Sequence, residues 1–166
     1  WVAVLFSALL AIQRSFAVES SDEARDALRL SGLDPAGIFL GKALAVAVQL
    51  LVLEAVLAGG VVILYGSELH APMLLIVTCL LATTGLAAAG TIYGVLAAGL
   101  RVRETLLPLL LLPVLAPVLL AATRAWEAGL DGVPSEGWSW LRILAVFAVI
   151  YGAVGVAAFD ALLEDA

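Results

Sequence analysis

Glu54 is the residue that most invites a chemical reading. It stands alone within the long apolar stretch 41–65, where an ionised side chain is costly. A carboxyl group so placed faces a bundle interior, a partner chain or water, or it carries a proton. One reading makes Glu54 a gating or pathway residue. The other makes it half of a helix–helix hydrogen bond, with Gln49 or a threonine of the following helix as its partner. Aspartyl-type chemistry needs paired carboxylates, and no second carboxylate lies mid-helix. His70 is the single histidine, too few for a zinc site, which takes several ligands at defined spacing. Cys79 is the single cysteine. It has no intrachain disulfide partner and reads as a small buried hydrophobe. Gly37 to Ala43 spells GIFLGKA, which has one residue too few for a phosphate-binding loop and no hydroxyl after the lysine. Lys42 reads instead as a cation snorkelling at a helix entrance. The chain is therefore not expected to be an enzyme by itself, and its catalytic and metal residues are read as none.

The elements that would carry these residues follow from composition. Of 166 residues, 64% are hydrophobic and 13% are charged. An ordinary soluble domain is about 45–50% apolar and about 25% charged. A bilayer core of roughly 30 Å takes about 20 consecutive apolar residues per helix, and the apolar runs here reach that length. The eight basic residues are scattered, which argues against nucleic acid as a partner. The pattern predicts helices over residues 1–13 (or on to Phe16), 37–65 with its membrane part after Lys42, 72–100, 105–123 and 141–159. These make five membrane helices in an all-α polytopic bundle surrounded by membrane lipid. The start at Trp1 reads as a piece beginning inside or at the edge of a membrane helix.

The breaks between helices are informative too. Segment 14–42 carries Arg14, Arg25, Arg29 and Lys42, whereas 66–71 carries no Lys or Arg. The positive-inside rule then puts 14–42, 101–104 and the C-terminus in the cytoplasm, and 66–71 and 124–140 outside. Arg124 and Arg142 pull against the last assignment. Within 14–42, residues 20–31 read as a capped amphipathic helix. Ser20 and Glu23 make a capping box, and Gly32 is a stop. Its polar face mixes acids and bases, where a helix lying on lipid is usually rich in Lys and Arg. It reads either as an interfacial helix or as a helix docking into a cytosolic partner. Asp34-Pro35 opens the next helix.

Small residues and prolines mark the middle of the chain. Gly90-Thr91-Ile92-Tyr93-Gly94 is a GxxxG, which lets helix backbones approach closely in lipid, within one chain or between subunits. Pro108, Pro113 and Pro117 remove backbone donors from the fourth helix, so it can bend there. Pro113 and Pro117 fall on a similar face.

In order and spacing these segments resemble the CcmB family. The resemblance is carried by Leu9-Leu10-Ala11-Ile12-Gln13-Arg14-Ser15-Phe16-Ala17-Val18-Glu19, and by Leu28-Arg29-Leu30-Ser31-Gly32 followed by Ile38-Phe39-Leu40-Gly41-Lys42. The longest part runs from Gly85 through Arg101 and on to Pro117. Gly32 stands where that family usually has Pro. The resemblance covers nearly the whole chain. It implies a six-helix, ABC-2-type permease of the bacterial inner (cytoplasmic) membrane, with the first helix missing from this fragment. It also implies a cytosolic ATP-binding partner, CcmA, association with CcmC and CcmD, and service to the haem chaperone CcmE in cytochrome c biogenesis. ATP would be hydrolysed in the partner subunit and haem met only indirectly, with no cofactor bound by the chain itself. Helix 20–31 would be the coupling helix, with Glu23, Arg25, Leu28 and Arg29 at the ATPase interface. Glu54, Gly90, Gly94, Pro113 and Pro117 would serve the pathway or its packing. His70 then has two readings, a haem axial ligand or an interfacial polar residue. Segment 124–140, with Trp126, Trp138 and Trp140, would be an outer element near the chaperone or a set of interface anchors. Two other readings are an ABC-2 permease exporting a lipid, polysaccharide or drug, and a membrane scaffold without an ATPase partner.

Overall fold

The computed structural model describes residues 1–18, 34–66, 69–98 and 103–164. The described residues are helical with short connections, and no strand occurs among them. In chain order the helices are α1 (Val2–Val18), α2 (Pro35–Tyr65), α3 (Pro72–Ala98), α4 (Arg103–Leu130) and α5 (Pro134–Glu164). Helices α2 to α5 are long and apolar enough to cross a membrane, whereas α1 is an apolar helix of shorter span. The chain is a multi-pass membrane protein.

Helix α3 is the hub. Among the described residues it packs against all four of the others, while α1 does not pack on α5 and α2 does not pack on α4. Its sequence explains the position. Gly85, Ala87, Ala88, Ala89, Gly90 and Gly94 are small, and small side chains let neighbouring backbones come close in lipid. Thr78 and Thr91 are fully buried, yet each hydroxyl donates to the carbonyl one turn back, on Leu74 and Ala87, at 2.7 Å. These hydroxyls therefore place no unmet polar group in the core. Helix α2 is the opposite case. Leu40, Leu44, Val48, Val52 and Val56 form an exposed apolar row along it, with the i, i+4 spacing of one helix face.

Glycines receive the knobs of the packing. The Ile12 side chain of α1 fills the place a side chain at Gly90 would take, so the GxxxG works within the chain at this position. Phe147 of α5 does the same at Gly85, 2.9 Å from where a Cβ would stand. At one end of the bundle Phe39 of α2 occupies the notch left by Gly155 of α5 and leans on Phe159, with ring centroids 5.4 Å apart.

Helix α1 runs on to Val18, beyond its expected end, and the largest departure from expectation comes later in the chain. Asp34 is the extended N-cap of α2 and Pro35 its first residue, although the Asp34 side chain makes no capping hydrogen bond. Gly66, left-handed at φ 60°, ends α2. The polar segment 124–140, expected to lie between the fourth and fifth helices, is itself helical over most of its length. Helix α4 runs on to Leu130 and α5 begins at Pro134, leaving a connection of three residues. An Arg124–Glu127 ion pair (3.0 Å) supports the extension on the exposed face. The helix stops where Gly132 turns left-handed (φ 74°) and Val133 N–H donates back to the carbonyl of Ala128 at 3.0 Å, a Schellman-type ending. Gly129 and Gly137 lie within α4 and α5. They accommodate Leu75 and Leu74 of α3.

Candidate functional site

The buried polar centre of the bundle lies on α3, which meets α2 through Thr83 and α4 through Cys79. Glu54 on α2 is 5% exposed. It sits on the inward face with Val46 and Leu50, opposite the exposed Leu40–Val56 row. Thr83 on α3 donates its hydroxyl to Glu54 Oε1 at 2.7 Å. Thr83 is therefore the threonine partner that the second reading of Glu54 called for, and Gln49 is exposed instead. The bond fixes the carboxyl group and leaves Oε2 with no hydrogen-bond partner.

One turn before Thr83, the Cys79 thiol interacts with both Glu54 and the indole of Trp126 on α4. Trp126 Nε1 is likewise buried without a partner, and Trp1 packs edge-on against that indole, centroids 6.2 Å apart. Sequence reasoning gave Trp126 to an outer element or a set of interface anchors, and read Cys79 as a small buried hydrophobe. The extension of α4 is what brings them to Glu54, and no local pattern in the sequence links three residues on three helices.

A second feature ties the two connections at one end of the bundle. The Nδ1–H of His70 donates to the carbonyl of Leu130 at 3.0 Å. Its ring also lies 3.7 Å from the place a Cβ would take on Gly132. Leu130 is the last residue of α4 and has no further helical turn to satisfy its carbonyl, so the histidine serves as its cap. Among the described residues no cluster of three or more metal-ligating side chains occurs.

The other expected site residues separate into three groups. Glu23, Arg25, Leu28 and Arg29, with the whole of helix 20–31, lie outside the described residues. Gly90 and Gly94 are buried on α3. Pro113 and Pro117 share an exposed face of α4, with Leu109 one turn before them. All three α4 prolines lie inside the helix, which continues past each of them. The structure does not bring these residues to Glu54 as one site.

Comparison with known proteins places the chain. Residues 1–165 match the family described as CcmB protein. "Heme exporter protein B" of Pseudomonas aeruginosa is 32% identical over 168 residues, covering 95% of this chain and 71% of that protein. The protein of the same name from Haemophilus influenzae is 32% identical over 163 residues, covering 96% of this chain and 70% of its own length. That of Rhodobacter capsulatus is 32% identical over 140 residues, covering 82% and 62%. With a family match running almost end to end and a bundle of membrane-crossing helices beneath it, the chain belongs to the CcmB protein family.

Proposed function

We propose that the chain is the membrane permease subunit of an ABC transporter for cytochrome c biogenesis. The observation that carries the reading is the match over residues 1–165, joined to relatives named for haem export. In this reading the chain works in the bacterial inner membrane and has no active site of its own. ATP is hydrolysed in a cytosolic partner of the CcmA type. Segment 20–31 docks into that partner through Glu23, Arg25, Leu28 and Arg29. Its motion is passed to the bundle and used for haem delivery or release of the haem-loaded chaperone CcmE, in association with CcmC and CcmD.

The fold supports a mechanical role. Helix α2, which follows segment 20–31 directly, is held to α5 by Phe39 in the Gly155 notch. Displacing the start of α2 therefore displaces α5, because a close-packed notch passes on motion rather than absorbing it. The α4 prolines add a second compliant place, since Pro113 and Pro117 leave the carbonyls of Leu109 and Pro113 without helical donors. Glu54 serves the pathway in this reading by holding α2 to α3.

A mild-detergent pull-down of the full natural chain from its native membrane, with mass spectrometry of what accompanies it, tests the proposal. A phosphate-binding-loop ATPase together with cytochrome-maturation subunits is the expected result. An ATPase alone would keep the permease and favour an exporter of another substrate. Absence of any ATPase would favour the scaffold.

A further inference from the structure

We propose that the last turns of α2, beyond Gly59-Gly60, form an arm that swings on that glycine pair while the rest of the helix stays fixed to the bundle. The first part of α2 is anchored turn after turn. Phe39, Val46, Leu50 and Glu54 are buried. Phe39 fills the notch at Gly155, and Glu54 accepts a hydrogen bond from Thr83 at 2.7 Å. Beyond Glu54 no residue of α2 is buried, although the helix continues to Tyr65. Ala58, Gly60, Val61 and Val62 are half-buried there. Ile63, Leu64 and Tyr65 are 82%, 80% and 79% exposed. Three successive positions sweep about 200° around a helix, so the end of α2 rests on the bundle along one side only.

The glycine pair stands just past the last anchor. Glycine is the poorest helix former after proline, and small-residue pairs are a usual place for a helix to kink. A Cβ at Gly59 or at Gly60 would meet nothing within 4 Å. Gly85, Gly90, Gly129, Gly137 and Gly155, by contrast, each receive a side chain from another helix. Those five glycines serve packing. Gly59 and Gly60 do not, and the open space around them is the room a bend needs. In hydrocarbon the backbone must keep its hydrogen bonds, so the motion is a bend and not an unwinding. The connection that follows the arm is tied down again where His70 donates to the carbonyl of Leu130 at 3.0 Å, which limits the swing to a short excursion. The hinge rests on none of the transporter reading and would exist whatever the substrate.

Pulsed electron–electron spin resonance on the full natural chain in lipid bilayers tests the hinge. Cys79 is replaced by Ala, or by Ser if that variant does not fold, and nitroxides are attached in pairs. Leu64→Cys with Leu120→Cys reports the arm, and Val48→Cys with Leu120→Cys reports the anchored part of the same helix. All three positions are exposed, and α2 does not pack on α4, so the labels stand apart. The expected result is a distance distribution at least twofold wider for the arm pair than for the anchored pair. Gly59→Ala combined with Gly60→Ala should narrow the arm pair to the width of the anchored pair and leave the latter unchanged. If the double variant does not fold, Gly59→Ala alone takes its place, with a partial narrowing expected. Equal widths for the two pairs before any glycine is replaced would overturn the proposal. So would an arm distribution that stays wide in the alanine variants, since the motion would then not turn on the glycines.

Discussion

The ring of Phe39 stands where a side chain on Gly155 would have to go, and this single notch fixes the start of α2 to the far end of α5. Gly152, less than one turn away on the same helix, has open space around it. Gly155→Ala should therefore destabilise the bundle by about 1–3 kcal/mol through overpacking, while Gly152→Ala should be neutral or slightly stabilising. Unfolding of the purified protein in mixed micelles measures both. Equal effects at the two positions would remove Phe39 from its anchoring role.

Glu54 and Thr83 make the buried side-chain bond between α2 and α3. Thr83→Val should cost about 1–3 kcal/mol, because it strips the partner from a buried carboxyl oxygen. Glu54→Gln keeps an acceptor for Thr83 and should cost less than Thr83→Val. A double-mutant cycle between Thr83→Val and Glu54→Met should return a coupling of about 0.6–2 kcal/mol. A coupling near zero would mean that the pair holds nothing together.

Gly90 and Ile12 should behave as a matched pair. Gly90→Ala drives a methyl group into the Ile12 side chain and should destabilise by about 1–3 kcal/mol. Ile12→Val, which shortens that side chain, should recover part of the loss when combined with it. Thermal unfolding of the single and double variants provides the comparison, and strictly additive losses would count against direct contact.

For the coupling reading, Leu28→Asp and Arg25→Glu should each separate ATP hydrolysis from cytochrome maturation. Holocytochrome c, measured by haem staining of membrane fractions, should fall several-fold, while the amount of inserted protein stays at the wild-type level. Normal maturation in both variants would sink the coupling helix.

The helices α2 and α3 were legible because their apolar runs are long and end at punctuating residues, Asp34-Pro35 and Gly66 among them. Thr83 was legible as a class of residue, a threonine of the next helix, because a carboxyl group in an apolar stretch needs a donor within reach. The segment from Arg124 to Trp140 was misread for a physical reason. Gly129 and Gly137 look like loop residues in a sequence, but here they are empty places shaped to Leu75 and Leu74, and only the packing reveals that. The neighbourhood of Cys79 and Trp126 was illegible for the same reason. It depends on how far α4 extends and how it is turned against α3, and periodicity within either helix sets neither.

The bond between Thr83 and Glu54 also has a place in time. The donor is made 29 residues after its acceptor, so at about 5–20 residues per second Glu54 exists for about 1.5–6 s before its partner has been synthesised. During that interval α2 carries a mid-helix carboxyl group unfavourable to insertion, with only its own apolar residues to offset it. Thr83 can therefore lower the cost of that carboxyl group only after α3 has been made.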